Sequence, residues 1–127
     1  MKENLAKIYI VLSGFILVAV GIAGCFRHEM FNLTFPWAHN LFHLLSGVIA
    51  LFAGLGRNPA GPRRFGLLFG AIYTLVAIAG FLGQHDLGPV HLGLNLHFNF
   101  IHLGVGLLSL LAGFASASPP VSRLAPH

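Results

Sequence analysis

The sequence predicts an all-α membrane protein: four transmembrane helices formed by two tandem two-helix repeats, with both termini on the cytoplasmic side. Three observations lead there. The 127-residue chain is 56% hydrophobic and 8% charged, with a mean hydropathy of +0.82, whereas soluble domains carry about 25% charged residues. Four windows are free of formal charge, Ile8–Phe26, Met30–Gly56 (apart from its flanks), Phe65–Gln84 and Leu87–Ser122, and a spanning helix takes about 20 mostly apolar residues. Finally, Asn40, His43, Gly47, Ala50 and Gly54 return at the same spacing as Asn99, His102, Gly106, Ser109 and Gly113. Steps of three and four residues place each set on one helical face.

The elements follow in order. Helix 1 is expected near 6–26, after Lys2 and Lys7. A first outer loop carries Arg27, Glu29, Asn32 and Thr34. Helix 2, near 36–56, opens with Pro36 and Trp37, a residue at home in the first helical turn and an aromatic suited to the headgroup level. Gly56 to Arg64, with Pro59, Gly61 and Pro62, reads as a turn. Helix 3 is expected near 65–83. A second outer loop holds Gln84, His85, Asp86, Gly88, Pro89 and His91, and helix 4 runs near 94–115. The chain is then one transmembrane domain, 1–127, with repeat 1 at about 6–57, repeat 2 at about 63–115 and a tail at 116–127. Period-two alternation is missing, which excludes a membrane barrel.

Lys2, Lys7, Arg57, Arg63, Arg64 and Arg123 fall on one side of four crossings and Arg27 alone on the other. The positive-inside rule makes the six-charge side cytoplasmic. The net charge of +4 thus reports topology. Scattered basic residues flanking helices do not form a nucleic-acid surface, so the bilayer is the expected partner and nucleic acid is not.

Helix 3 repeats helix 1 at an offset of 56: Gly14, Ile16, Val20, Ile22, Ala23 and Gly24 match Gly70, Ile72, Val76, Ile78, Ala79 and Gly80. Helices 2 and 4 match at an offset of 59. The repetition also bears on Cys25. Ile22-Ala23-Gly24-Cys25 after a basic, apolar start resembles a lipoprotein signal and lipobox, but a segment recurring inside the chain reads as a structural helix. One cysteine makes no internal disulfide.

The twin stripes carry competing meanings. Without apolar burial to drive association in lipid, small residues and interhelical hydrogen bonds do the work. Gly47, Ala50 and Gly54 facing Gly106, Ser109 and Gly113 form such a seam, with helices 2 and 4 central, and Gly66 with Gly70 offers a further contact. Above the seam, Asn40 is expected to bond His102 and Asn99 to bond His43, each bond worth about 0.6–2 kcal/mol. The alternative is ligation. His28, His39, His43, His85, His91, His97 and His102, seven of eight histidines, fall on the outer half, and imidazole is a common ligand of zinc, copper and haem iron. His39 and His43, one turn apart, are the metal candidates. His43 and His102, with Asn40 and Asn99, are the cofactor-binding candidates: haem held axially, a chlorophyll on each, or a quinone in the polar pocket. His97, five residues from His102, faces elsewhere. Trp37 and Tyr9 read as interface anchors, and Tyr73, at mid-helix, needs a partner for its hydroxyl. No C-x-x-C, H-E-x-x-H or C-x-x-C-H occurs, and no nucleophile–base constellation can be assembled, so no enzyme is expected.

The segments HNLFHLLSGVIALFAG and FNFIHLGVGLLSLLAG resemble a family of small bacterial four-helix membrane proteins catalogued as a domain of unknown function. The likeness spans about residues 5–115 and is strongest at Asn40, His43, Gly47, Asn99, His102 and Gly106. It implies fold and location, and no activity. A weaker likeness to DoxX-type four-helix proteins rests on topology. The expected function is a non-enzymatic accessory subunit of the bacterial inner membrane that packs against a larger membrane assembly, the neighbour also ordering the Ser118-Pro119-Pro120 tail. Its rivals are a tetrapyrrole, metal or quinone protein using the outer histidines, and a small transporter or channel acting as an oligomer.

Overall fold

A computed structural model describes residues 2–116; the tail from 117 onward lies outside the described residues. The order is α1 (Lys2–Phe26), β1 (Glu29–Met30), β2 (Leu33–Thr34), α2 (Trp37–Leu55), α3 (Gly61–Phe81) and α4 (Leu96–Ala115). The protein is an all-α membrane protein: each of the four helices is long and apolar enough to cross a bilayer. Large apolar side chains such as Ile16, Phe52, Leu75 and Phe114 stand exposed along them, as helices meeting lipid require.

Local chemistry sets the boundaries. Pro36, extended, caps α2, so Trp37 is its first residue. Asn95 caps α4, its side chain accepting from Phe98 N–H at 3.0 Å, the ordinary service of asparagine at that position. Helix α3 begins at Gly61, earlier than expected, because Pro62 at the first turn starts a helix instead of prolonging the turn. Arg63 and Arg64 therefore lie within α3.

The loop between α1 and α2, in which the sequence announces no regular structure, is a tight hairpin. Glu29 pairs with Thr34 and Met30 with Leu33. Its two central residues, Phe31 and Asn32, have φ of 53° and 59°, the double left-handed geometry of a type I′ turn. Asparagine tolerates it, but for phenylalanine it costs about 1–2 kcal/mol. Phe31 is 93% exposed and regains nothing by packing. Phe31→Asn is expected to stabilise the protein by about 0.5–1 kcal/mol, read as a rise in thermal midpoint in detergent; an unchanged or lower midpoint contradicts the strain.

Packing corrects the expected seam. Gly47 and Gly54 face α1, not α4: a Cβ on Gly47 would lie 2.8 Å from both Gly14 O and Val18 N, and one on Gly54 2.6 Å from Val11 Cγ2. Gly106 and Gly113 face α3, against Gly70, Thr74 and Leu67. The intimate pairs are α1 with α2 and α3 with α4, while α2 and α4 make little backbone approach. The two central helices of the sequence reading are thus kept apart, because each spends its small face on its own hairpin partner. The contacts recur at the sequence offsets: Gly14–Gly47 and Gly70–Gly106, Val11–Gly54 and Leu67–Gly113, Gly24–Asn40 and Gly80–Asn99. Gly66 and Gly70 are used as expected, against α4.

Hydrogen bonds between the pairs lie deeper. Tyr9, read as an interface anchor, instead reaches from α1 to α4, its hydroxyl 2.9 Å from Ser109 Oγ and donating to Val105 O at 3.1 Å. Ser116 Oγ accepts from Ala6 N–H at 3.2 Å. Near the hairpin end, Phe35, Ala38, Leu92, Leu94 and Phe98 form a buried cluster joined by Val20, Met30, Leu33 and Val76. It holds the α1–α2 and α3–α4 loops against α2 and α4 and covers the site.

Candidate functional site

The space between α2 and α4, left open by the glycine packing, is filled at the hairpin end by imidazoles. His39 and His43 project from one face of α2, a helical turn apart, and His102 projects from α4. Ring centroids are 4.4 Å apart for His39 and His43 and 5.6 Å for His39 and His102. One nitrogen from each of the three lies within 4.8 Å of the others. The residues are 4%, 7% and 5% exposed, so all three are shut off from bulk solvent. The Phe98 ring lies nearly parallel to His102 at 5.8 Å and is 4.6 Å from His39, and the Tyr73 ring meets His102 edge-on at 5.2 Å.

Two features fix the donor atoms. His39 Nδ1 lies 3.0 Å from Leu92 O; a carbonyl accepts only from an N–H, so the proton is on Nδ1 and Nε2 carries the lone pair. The Nδ1 atoms of His43 and His102 are buried and have no hydrogen-bond partner. Buried imidazole nitrogens without partners are costly in a membrane interior, and coordination would remove that cost. Beside the rings runs a cavity of about 140 Å³, walled by Phe42, Ser46, Ile72, Tyr73, Val76 and loop leucines including Leu92.

The loop between α3 and α4 is the lid and is latched by Asp86. Its Oδ1 accepts from Leu92 N–H at 2.8 Å and Gly93 N–H at 3.1 Å, and His91 Nδ1 approaches it at 2.8 Å. Leu87 and Val90 pair across a turn whose Gly88 has φ of 55°, the positive value a primed hairpin turn demands. His85 Nδ1 bonds Leu94 O at 2.9 Å. The line from Asp86 through the Leu92 peptide to His39 therefore orients a ring of the cluster from outside it.

The Gly93 amide, with His91 and the Leu92 amide, holds the Asp86 carboxyl below its ordinary value of 3.8. A carboxyl lowered in this way helps hold the folded loop above 3.8 and loses its hold as pH falls through the lowered value. The loop is thus expected to stay closed at neutral and mildly acidic pH and to loosen only below pH 3.8. Asp86→Ala should speed amide exchange at Leu92 and Gly93 at least tenfold at neutral pH, whereas Asp86→Asn, which keeps the oxygen, should not. Equal exchange in all three proteins contradicts the latch.

Of the residues singled out in the sequence, the structure unites the metal pair His39 and His43 with the cofactor candidate His102. Asn40 and Asn99 lie elsewhere, and the expected cross-bonds to His102 and His43 are not made. Asn40 Nδ2 donates to Phe35 O at 3.3 Å. Its Oδ1 points at Gly24, as Asn99 Oδ1 points at Gly80, where a Cβ would collide with it. Neither oxygen has a conventional partner, leaving a weak Cα–H···O contact to glycine. The physical reason is the same one that moved the seam: each asparagine is turned toward its own hairpin partner. His28, His85, His91 and His97 are exposed and outside the cluster. The sequence reading missed Leu92, Ser46 and Phe98. Ser46, three residues after His43 and on its face, was the one legible signal; a loop carbonyl leaves none. Tyr73, noted for its mid-helix hydroxyl, lines the cavity.

Fold and site together define a protein of four membrane-spanning helices with a buried cluster of three histidines under a loop lid. Residues 7–115 match the family model of a domain of unknown function, DUF4383, and the chain belongs to that family. No match was found among curated proteins or among solved structures.

Proposed function

We propose that the protein is a non-enzymatic membrane protein that holds one transition-metal ion through His39, His43 and His102. The observation that carries this reading is the convergence of three buried imidazoles, whose nitrogens lie within 4.8 Å of one another, with one ring already oriented through its far nitrogen. Metal–imidazole bonds of 2.0–2.1 Å put donors about 3.4 Å apart in a tetrahedral site. Each ring therefore needs to move inward by roughly 1 Å, within the reach of small χ adjustments.

A macrocycle is less well served. The cavity of about 140 Å³ is well below the roughly 300 Å³ at the small end of cofactor pockets, and His39 occupies the gap between His43 and His102 where a haem would lie. The accessory-subunit expectation draws no support from the exposed apolar surface, which lipid alone accounts for.

Arg57 and the arginines of α3 lie at the end of the bundle opposite the histidines, which supports an orientation with both termini cytoplasmic and the metal site in the outer leaflet of a bacterial inner membrane. The recurring glycine contacts support descent from a duplicated helix pair. The test of the function is elemental analysis and metal titration of the purified protein beside the His39→Ala/His43→Ala/His102→Ala variant. One equivalent of bound metal, absent from the variant, is expected. Equal binding by both proteins, or by neither, overturns the reading.

A further inference from the structure

We infer that this centre is selective for monovalent copper over divalent zinc, an inference that rests on the three-histidine reading above. The ground is charge. All three donors are neutral when they ligate, and the cluster contains no carboxylate or thiol. The chain has only three carboxylate side chains. Glu3 is near the start of α1, at the end opposite the cluster; Glu29 is exposed on β1; Asp86 is committed to Leu92, Gly93 and His91. Cys25 is exposed on α1. An ion bound here keeps its full charge.

The surroundings do little to offset that charge. Besides the imidazoles, the cavity wall offers the hydroxyls of Ser46 and Tyr73 among aliphatic and aromatic side chains. The cost of taking an ion out of water rises with the square of its charge, so a divalent ion suffers about four times the penalty of a monovalent one. Zinc sites with three histidines complete their shell with water or hydroxide, which needs polar support that this wall largely lacks. Copper(I) is stable with three donors, accepts imidazole and leaves only one buried positive charge. Three rings from two helices, with the lid carbonyl setting the third, suit a trigonal arrangement.

The test is a pair of anaerobic competition titrations on the full chain in lipid nanodiscs, one with a chromogenic copper(I) chelator and one with a chromogenic zinc chelator. Copper(I) is expected to bind at least a thousandfold more tightly than zinc(II). Zinc binding as tight as copper(I), and lost in His43→Ala, overturns the selectivity while leaving the three-histidine centre standing. Failure of both metals to bind, or binding indifferent to His43→Ala and His102→Ala, overturns both. Ser46→Asp supplies the control: a carboxylate in the cavity should narrow the preference at least a hundredfold by strengthening zinc. An unchanged ratio in a folded, metal-binding Ser46→Asp protein contradicts the charge argument.

Discussion

His43→Ala is expected to weaken metal binding by about two orders of magnitude and His102→Ala by a similar factor. Structural metal sites with four ligands bind with about 10–16 kcal/mol, or roughly 3 kcal/mol per ligand, and 1.4 kcal/mol is tenfold. Both substitutions remove a buried ring with an unpartnered nitrogen, so neither leaves an orphaned hydrogen-bond partner behind. The fold should survive them, because the pairing of α1 with α2 and of α3 with α4 does not pass through these rings. His97→Ala is the matched control: His97 is exposed on the first turn of α4 and should leave the affinity unchanged. Titration in nanodiscs, with thermal unfolding of the metal-free proteins alongside, separates lost ligation from lost structure. Weakening by His97→Ala equal to that by His102→Ala would mean that the cluster is not the site.

Gly106→Ala is expected to destabilise the protein by about 1–3 kcal/mol, the usual cost of overpacking. The added methyl would lie 2.7 Å from Thr74 N and 3.1 Å from Gly70 O. Both atoms are backbone, so relief requires α3 and α4 to separate. On the same helix and only two residues away, nothing lies within 4 Å of a Cβ at Gly104. Gly104→Ala should therefore be neutral or stabilising by up to about 1 kcal/mol, from helix propensity. The pair uses one chemical change at two positions, so propensity cancels and packing is what remains. Gly47→Ala should behave like Gly106→Ala, since its methyl meets Gly14 O and Val18 N. Equal thermal midpoints for the Gly104 and Gly106 variants would contradict the close pairing of the hairpins.

These glycines also show what the sequence could and could not disclose. Length, apolarity and charge placement announced four helices; their bounds moved most at the starts of α1 and α3, each four residues earlier than expected, the second because Pro62 acts as a start. The stripe of Asn, His and small residues was legible as a stripe. Its partner was not, because spacing along one helix says which residues share a face and nothing about which helix that face meets. Asn40 and Gly47 consequently turned out to face α1, and the rule of pairing like with like between repeats failed. The histidines were legible because they are rare on apolar helices and stand one turn apart, yet their union needed α2 and α4 to remain separate. The bond from Leu92 O to His39 was invisible, since any residue supplies a carbonyl. The type I′ hairpin was hidden by a phenylalanine where asparagine or glycine is usual.

The most direct measurement is X-ray absorption at the edge of the metal bound to the purified protein. Three nitrogen donors near 2.0 Å, with the outer-shell scattering of imidazole rings, are the predicted result, falling to two rings in His102→Ala. A first shell dominated by oxygen or sulfur, or one that keeps three imidazoles after His102 is removed, would contradict it.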